Sequence, residues 1–236
     1  MTVLVLGLDG LDARYVKVNA LLRDLGTHQL HQNFNGDNAL YTYRVWNNIF
    51  AGELGGESYG EPYVPYEPHG SYVWEKFPAE VFLAPVVNPS LSIGTDAFPR
   101  EYIESYAPGN RLDDTLTKLN IGVRDALKRD VPLVVACTRT PDIVGHHVPN
   151  EARYWINRTC YLAERLARRA DEYLIVSDHG FDFNNFGGKG IEAHTRRATF
   201  ASSFCDFDSM TEFCKGWHEE LASVLVDQQM DALGYK

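Results

Sequence analysis

The sequence predicts an α/β protein with a mostly parallel central sheet and helices on both faces, a three-layer α/β/α arrangement. Three observations support this fold class. Apolar runs of strand length recur along the chain, segments with helical periodicity separate them, and 236 residues with 44% hydrophobic and 23% charged side chains suit a soluble globular protein. Because sheets of this kind often use 200 residues or more as one unit, we expect residues 1–236 to form a single domain.

Four apolar runs predict buried parallel strands. Residues 2–8 (TVLVLGL) are a continuous β-branched and Leu run that ends at Asp-Gly. The same profile recurs at residues 81–87 (VFLAPVV), 132–138 (PLVVACT) and 173–177 (YLIVS). Unbroken apolar strands are typical of a sheet that is covered on both faces.

Three segments carry apolar residues at helical spacing. Residues 113–129 precede the third strand, residues 153–170 lie between the third and fourth strands, and residues 209–233 come last. Residues 53–78 are dense in Gly, Pro and Tyr, so their first two thirds should form a long loop. A loop of that length inside a compact domain is either functional or an insertion.

Composition excludes several classes of partner. The formal net charge of -10 argues against a broad basic surface for DNA or RNA. The four cysteines lack the close pairing of a zinc ribbon or a redox Cys-x-x-Cys, so we expect reduced thiols. The N-terminal apolar run is short, has no basic segment before it and leads into Asp9, which is unlike a signal peptide or a membrane span. We therefore expect a cytoplasmic protein without a membrane partner.

Acidic and imidazole residues follow three of the predicted strands. Asp9 follows the first strand, and Asp142 and His146 come a few residues after the third. Asp178 and His179 directly follow the fourth. Because the carboxyl edge of an open parallel sheet is where ligands bind, three strands would deliver five potential metal ligands to one rim.

Each of these residues also has an ordinary structural explanation. An Asp-Gly after a strand commonly caps a turn or a helix, which is the usual role for Asp9 taken alone. Asp178 and His179 taken alone could form an ordinary turn. His194 taken alone would be an ordinary histidine in a loop. His147 adjoins His146, and neighbours in an extended chain face opposite ways, so we expect only His146 at the site. The hypothesis depends on the whole set.

Together these residues predict a centre for two divalent metal ions. Two ions about 4 Å apart clamp a phosphate, where one activates the nucleophile and the other stabilises the leaving oxygen. Mixed carboxylate and imidazole ligands favour Zn or Mn over Mg or Ca. The candidate ligands are Asp9, Asp142, His146, Asp178, His179 and His194.

These motifs resemble the alkaline phosphatase superfamily, and within it the type I phosphodiesterase or nucleotide pyrophosphatase branch. The resemblance lies in GLDG near the N-terminus, PDIVGH, SDHG after an apolar strand, and a later isolated His before a strand-like segment. It spans about residues 2–203. It implies an alkaline phosphatase-like fold with a reduced cap, and a metal-dependent phosphodiesterase whose substrate is a small phosphate ester such as a nucleotide.

Members of this family carry a Thr or Ser nucleophile at the start of a helix, in a segment similar to TYRVWNNIFAG, residues 42–52. The resemblance assigns that role to Thr42, which would attack phosphorus and give a phospho-enzyme that water then hydrolyses. A plain helix-capping role for Thr42 is compatible with this position. The resemblance implies one metal site of Asp142, His146 and His194, and another of Asp9, Asp178 and His179.

The chain also departs from the family pattern. Arg44 stands where relatives usually have Pro, and its guanidinium would contact substrate phosphate or reshape the turn. A phosphate-binding Asn beyond the nucleophile has no counterpart, so Asn47 and Asn48 are the candidates to replace it. No Cys-x-Pro-x-Arg stretch is present, which argues against a sulfatase.

Two other functions stay open at this level. A catalytically weak or inactive metal-binding protein of the same fold would explain the short chain and the missing Asn. A phosphomonoesterase, phosphonate hydrolase or phosphomutase would share the metal site and differ in the cap. Because a pure scaffold has no physical need for carboxylates and imidazoles clustered on one rim, the sequence favours an enzyme.

Overall fold

The computed structural model describes residues 1–36, 39–55, 66–87, 90–94, 110–129 and 131–232. The strands are β1 (Val3–Leu8), β2 (His28–His31), β3 (Ala79–Ala84), β4 (Leu91–Ile93), β5 (Leu133–Thr138), β6 (Glu172–Val176), β7 (Gly180–Phe181), β8 (His194–Thr195) and β9 (Arg197–Ser202). The helices are α1 (Ala13–Val18), α2 (Thr42–Ala51), α3 (Val73–Lys76), α4 (Asn110–Ala126), α5 (Thr140–His147), α6 (Ala152–Ala167) and α7 (Met210–Ala232).

Seven of these strands form one sheet in the order β2-β9-β6-β1-β5-β3-β4. The central strands β6, β1, β5 and β3 are parallel, and they are the four strands predicted from the sequence. The flanking strands β9, β2 and β4 pair antiparallel. β3 ends at Ala84, before the predicted limit of residue 87, because Pro85 has no N–H to donate to a ladder. The predicted fold class is confirmed.

Alternating residues of β1 enter two separate cores. Val3 and Val5 pack in one core with aromatic side chains of α2, α3 and α7. Leu4 and Leu6 pack in the other, with apolar residues of α1, α4 and α6. Since successive side chains of a strand point to opposite faces, each face of the sheet is covered by helices. This is the predicted three-layer arrangement.

The structure differs from the sequence prediction at residues 140–147. The sequence prediction places His146 and His147 in extended chain, but both residues belong to helix α5. Pro141 stands in the first turn of α5, where its missing N–H costs nothing. The prediction of extended chain was wrong, because Pro141 in the first turn also suits the start of a helix.

The remaining features concern the loop, the thiols and membrane-spanning potential. Residues 56–65 of the predicted loop lie outside the described residues, and residues 66–72 lead without regular structure into α3. All four cysteines are free thiols, and three of them are buried. In the described part of the chain, no helix combines the length and apolar character that crossing a membrane requires.

Candidate metal centre

The loop after β1 is fastened to the start of α5 at the carboxyl edge of the sheet. The backbone N–H of Asp9 donates to the carbonyl of Thr138 at 3.0 Å, and the N–H of Asp142 donates to the carbonyl of Asp9 at 3.0 Å. Gly10 has φ +76°, and a Cβ there would lie 2.8 Å from Cβ of Asp142. Only Gly satisfies both constraints, so the Asp-Gly pair brings Asp9 and Asp142 together.

Asp142 and His146 share one face of α5. They are four residues apart, which places their side chains one above the other on a helix. His146 Nε2 lies 3.3 Å from Asp142 Oδ1. Gly145 lets α5 approach β7, because a Cβ at this position would lie 2.9 Å from the Phe181 ring. His147 is exposed and points about 100° away from His146 around the helix.

His194 reaches the same carboxylate from β8, although 48 residues separate it from His146. Its Nε2 lies 3.1 Å from Asp142 Oδ1 and 3.0 Å from His146 Nε2. Its ring also stacks on the ring of His179 with centroids 3.8 Å apart. The structure therefore brings His146, His179 and His194 against the aspartates.

Each of these three imidazoles is oriented by a backbone carbonyl at Nδ1. The contacts are His146 to Gly188 at 2.7 Å, His179 to Gly180 at 3.1 Å, and His194 to Leu40 at 3.2 Å. In the tautomer that makes these bonds, Nδ1 carries the proton and Nε2 presents a lone pair. A carbonyl partner of this kind is the usual support for a metal-ligating histidine.

Polar atoms without hydrogen-bond partners collect at the centre of this cluster. Among the described residues they are Asp9 Oδ1, Asp142 Oδ1, Asp178 Oδ2 and His179 Nε2. His179 Nε2 lies 3.5 Å from the Asp9 oxygen and 3.3 Å from the Asp178 oxygen. Because an unsatisfied buried polar atom is costly, four of them facing one point fit a bound cation.

The ligand atoms form two overlapping groups, each with its atoms within 4.8 Å of one another. One group is Asp142, His146 and His194, and the other is Asp9, Asp142 and His179. Asp178 borders the second group, because one of its oxygens faces His179 and the other accepts the N–H of Gly10 at 3.2 Å. The structure thus brings all six predicted ligands to one rim, with Asp142 common to both groups.

Burial and mutual contact shift the pKa values of these residues. Burial raises the pKa of Asp9 to about 6, against the effect of Arg139, and burial with Asp9 raises the pKa of Asp178 well above its ordinary value. Burial and His194 lower the pKa of His179 to about 3. Burial opposes ionisation of Asp142 as well, but the facing imidazoles of His146 and His194 hold its pKa well below the usual range. Shifts this concentrated are characteristic of functional sites.

Arg139 is the site residue that sequence reasoning missed. Its Nε donates to Asp9 Oδ2 at 2.7 Å, and its Nη2 lies 3.5 Å from Asp142 Oδ2. The side chain is 13% exposed. The only signal in the sequence was its place directly after β5, since a single Arg in CTRTPD belongs to no metal-ligand pattern.

A cavity of about 810 Å³ opens over the cluster, and its wall includes Thr42, Arg139, Asp142, His146 and His194. Thr42 is the first residue of α2. The bond between His194 and the carbonyl of Leu40 ties the chain just before α2 to the cluster. Thr42 therefore lies on the same cavity wall as three candidate ligands. His147 also borders this cavity, at its exposed side.

Asn47 lies in the packing beneath α2. Its Nδ2 donates to the carbonyls of Tyr43 at 2.7 Å and Val86 at 3.2 Å, and its Oδ1 accepts the hydroxyl of Tyr72. The side chain is fully buried. These bonds fix α2 against its neighbours and place Asn47 outside the residues that line the cavity.

Asn48 and Arg44 also stand away from the cavity lining. Asn48 Nδ2 donates to the carbonyl of Arg44 at 2.9 Å, and its Oδ1 accepts the N–H of Gly55 at 2.7 Å just beyond α2. Arg44 follows Thr42 by two positions, which is about 200° around the helix. Asn47 and Asn48 thus support the helix that carries Thr42, and none of the three predicted substrate contacts lines this cavity.

No family model and no curated protein sequence matches this chain. Among solved structures, a 2-O GAG sulfatase superposes over 94% of this chain and 70% of its own, with 8% identity and a TM-score of 0.61. The C-terminal periplasmic domain of EptC from Escherichia coli superposes over 93% and 82%, with 9% identity and a TM-score of 0.51. Both neighbours are alkaline phosphatase-superfamily proteins.

The chain has the alkaline phosphatase-like fold. Murine ectonucleotide pyrophosphatase/phosphodiesterase 5 also matches, over 77% of this chain and 57% of its own at 16% identity, but a TM-score of 0.42 is too low to carry an argument. At these identities the neighbours establish the fold alone. Within the alkaline phosphatase-like fold, the chemistry depends on the residues of the cavity wall.

Proposed function

We propose that this chain is a metal-dependent hydrolase of phosphate esters, that Thr42 is its nucleophile, and that small phosphate diesters or nucleotide pyrophosphates are its preferred substrates. One observation carries the proposal. Thr42 begins a helix on the wall of a cavity that also exposes Asp142, His146 and His194. A hydroxyl beside a metal-ligand cluster is the arrangement that nucleophilic phosphoryl transfer requires.

Thr42 supplies the covalent chemistry. Its Oγ attacks phosphorus, the bond from phosphorus to the leaving oxygen breaks, and the departing alcohol gains a proton from water as Thr42 loses its own to solvent. Water then cleaves the new phosphothreonine bond, which releases a phosphate monoester and restores the hydroxyl. The N-terminus of α2 favours the negative charge on the phosphoryl oxygens throughout.

The six clustered side chains fit a pair of Zn²⁺ or Mn²⁺ ions, because their donors are three carboxylates and three imidazoles. We propose that Asp142, His146 and His194 hold one ion and that Asp9, Asp178 and His179 hold the other. Such ions, when bound, polarise phosphoryl oxygens and favour ionised nucleophiles. The histidines contribute by holding Nε2 in place through their carbonyl bonds. The aspartates contribute negative charge, which offsets the positive charge of the ions.

The cavity supports a small organic ester as substrate. About 810 Å³ is within the range of sites that enclose small molecules. Apolar side chains of Leu112, Ile143, Val148 and Ile191 border it, so they would contact an organic substituent while the phosphate meets the metal ligands. A net charge of -10 makes a nucleic-acid polymer a poor partner. A cytoplasmic location and a single-domain organisation stay predictions.

The experiment compares bis-p-nitrophenyl phosphate, p-nitrophenyl phosphate and p-nitrophenyl sulfate as substrates, with added Zn²⁺ or Mn²⁺ and with chelator. We expect metal-dependent turnover of the diester above the other two. Thr42→Ala should lower kcat at least about 10³-fold while metal content is unchanged. Thr159→Ala is the matched control, because this buried hydroxyl bonds within α6, to the carbonyl of Trp155 at 2.9 Å, and is not part of the cavity wall.

Each contrary result points to a defined alternative. Preference for the monoester would make the chain a phosphomonoesterase, and turnover of the sulfate would make it a sulfatase. Bound metal without turnover of any ester would indicate a metal-binding protein of this fold. Full activity in Thr42→Ala would remove Thr42 as nucleophile.

A further inference from the structure

In both Asp9 and Asp142, one carboxylate oxygen faces an imidazole and the other faces Arg139. Oδ1 of each faces the imidazoles, at 3.5 Å from His179 Nε2 and at 3.3 Å from His146 Nε2 respectively. Oδ2 of each faces Arg139, at 2.7 Å and 3.5 Å. One guanidinium therefore meets two carboxylates that come from different strand ends, on the side away from the imidazoles.

Arg139 is held in place by the turn between β5 and α5. Thr138 and Thr140 share a hydrogen bond between their hydroxyls at 2.8 Å, and the N–H of Thr140 donates to the Thr138 hydroxyl at 3.2 Å. Thr138 and Thr140 are both buried. This turn directs the Arg139 side chain toward Asp9 and Asp142. The planar fork of a guanidinium is suited to spanning two carboxylates, which an ammonium group is not.

A carboxylate whose one oxygen is hydrogen-bonded presents its other oxygen in a fixed direction. Partners of this kind behind metal ligands commonly set metal affinity, because they spare the ligands the entropy of being ordered when the ion binds. The positive charge of Arg139 also offsets the repulsion between Asp9 and Asp142 in a buried cluster. Both effects act on the ligands and neither needs substrate.

We propose that Arg139 is a positioning residue of the metal centre, which holds Oδ2 of Asp9 and Asp142 so that both Oδ1 atoms face the metal ions. The inference depends on the metal centre of the proposed function. Arg139 also borders the cavity, where its guanidinium would meet a substrate phosphate. The two roles differ in a measurable way, because a substrate contact changes KM and leaves metal affinity unaltered.

The test measures Zn²⁺ affinity of the metal-free full-length protein by calorimetric titration against a competing chelator. The variants are Arg139→Met and Arg139→Lys, with Arg158→Met as control because Arg158 pairs with Asp113 at the surface of α6. We expect affinity to fall about 10- to 100-fold in Arg139→Met, less in Arg139→Lys, and not at all in the control. Circular dichroism of each variant establishes that it is folded, and Arg139→Lys, which keeps the buried charge, decides the question if Arg139→Met does not fold.

Equal or tighter Zn²⁺ binding in both Arg139 variants would overturn the positioning role. A raised KM with unaltered affinity would assign Arg139 to substrate instead. Absence of Zn²⁺ binding by the wild-type protein would overturn both the metal centre and the positioning role. Bound Zn²⁺ without turnover of any ester would remove the hydrolase and leave the positioning role to be decided by the same affinities.

Discussion

Asp9 and Asp12 lie three residues apart in the same turn, GLDGLD, and both are buried, yet their oxygens are used differently. Both oxygens of Asp12 are satisfied: Oδ1 accepts the N–H of Arg14 at 2.8 Å and Oδ2 accepts the hydroxyl of Thr195 at 2.6 Å. Arg197 bonds to both oxygens. Asp9 has Arg139 on one oxygen only, and its other oxygen has no hydrogen-bond partner among the described residues.

We propose that this difference separates a structural carboxylate, Asp12, from a metal-binding one, Asp9. A buried aspartate that only caps a helix acquires a complete set of donors, because every unsatisfied oxygen would cost stability. Asp12 is such a residue, since it is the N-cap of α1. An oxygen left unsatisfied in the interior, such as Asp9 Oδ1 opposite His179 Nε2, is expected where a ligand supplies the missing partner.

The largest effect is expected from Asp12→Ala. The change removes the N-cap of α1, which costs about 1 kcal/mol of unfolding free energy. It also leaves the Thr195 hydroxyl and the half-buried Arg197 without their carboxylate, which costs about 1.5–3 kcal/mol. Urea denaturation of the metal-free protein measures it. A loss below about 1 kcal/mol would show that Asp12 does not have the structural role that its hydrogen bonds indicate.

Asp9→Asn should weaken metal binding and leave the stability of the metal-free protein intact, which is the opposite of the effect expected from Asp12→Ala. Zn²⁺ affinity should fall about 100-fold or more, which is about 2.7 kcal/mol of binding free energy, because a ligand oxygen and its charge are lost. The unfolding free energy of the metal-free protein should hold or rise, since the amide removes a carboxylate from a crowded acidic cluster. Loss of stability equal to that of Asp12→Ala would erase the distinction between the two residues.

Thr195→Val removes one donor to Asp12 while it keeps the shape of the side chain. We expect the unfolding free energy to drop by about 1–2 kcal/mol, because one carboxylate oxygen loses a hydrogen bond. Zn²⁺ affinity should stay within threefold of the wild type, on the order of experimental scatter. A large drop in affinity would mean that the Asp12 network also sets the metal site.

His147→Ala should give the smallest effect. The His147 side chain is exposed, and of these two adjacent histidines it is His146 that faces Asp142. We therefore expect the unfolding free energy to change by no more than about 0.5 kcal/mol and the Zn²⁺ affinity to stay the same. His146→Ala is the matched comparison and should lose metal affinity strongly. Similar losses in both variants would place His147 among the ligands.

The parallel core of the fold was predictable and its edges were not. β1, β5 and β6 were found because strands buried on both faces carry unbroken apolar runs. β2 has the sequence HQLH and lies at the edge of the sheet, so neither hydrophobicity nor length marks it. Its place is decided by tertiary pairing with β9, which local sequence does not encode.

The same limit applies to the site. Strand ends identified Asp9, Asp142 and His179. His194 was a candidate ligand from its residue type, and only the family resemblance grouped it with Asp142, because no spacing connects the two. The role of Arg139 could not be predicted, because it depends on contacts with two carboxylates that follow different strands.

The central claim is that these side chains form a divalent metal centre, and thermal unfolding with and without Zn²⁺ tests it most directly. At a Zn²⁺ concentration 100 times Kd, binding to the folded state should add about 2.7 kcal/mol, which raises Tm of the wild-type protein by about 5–10 °C. Asp142→Asn should show little or no rise, because Asp142 belongs to both ligand groups. An unchanged wild-type Tm, or an equal rise in Asp142→Asn, would contradict the claim.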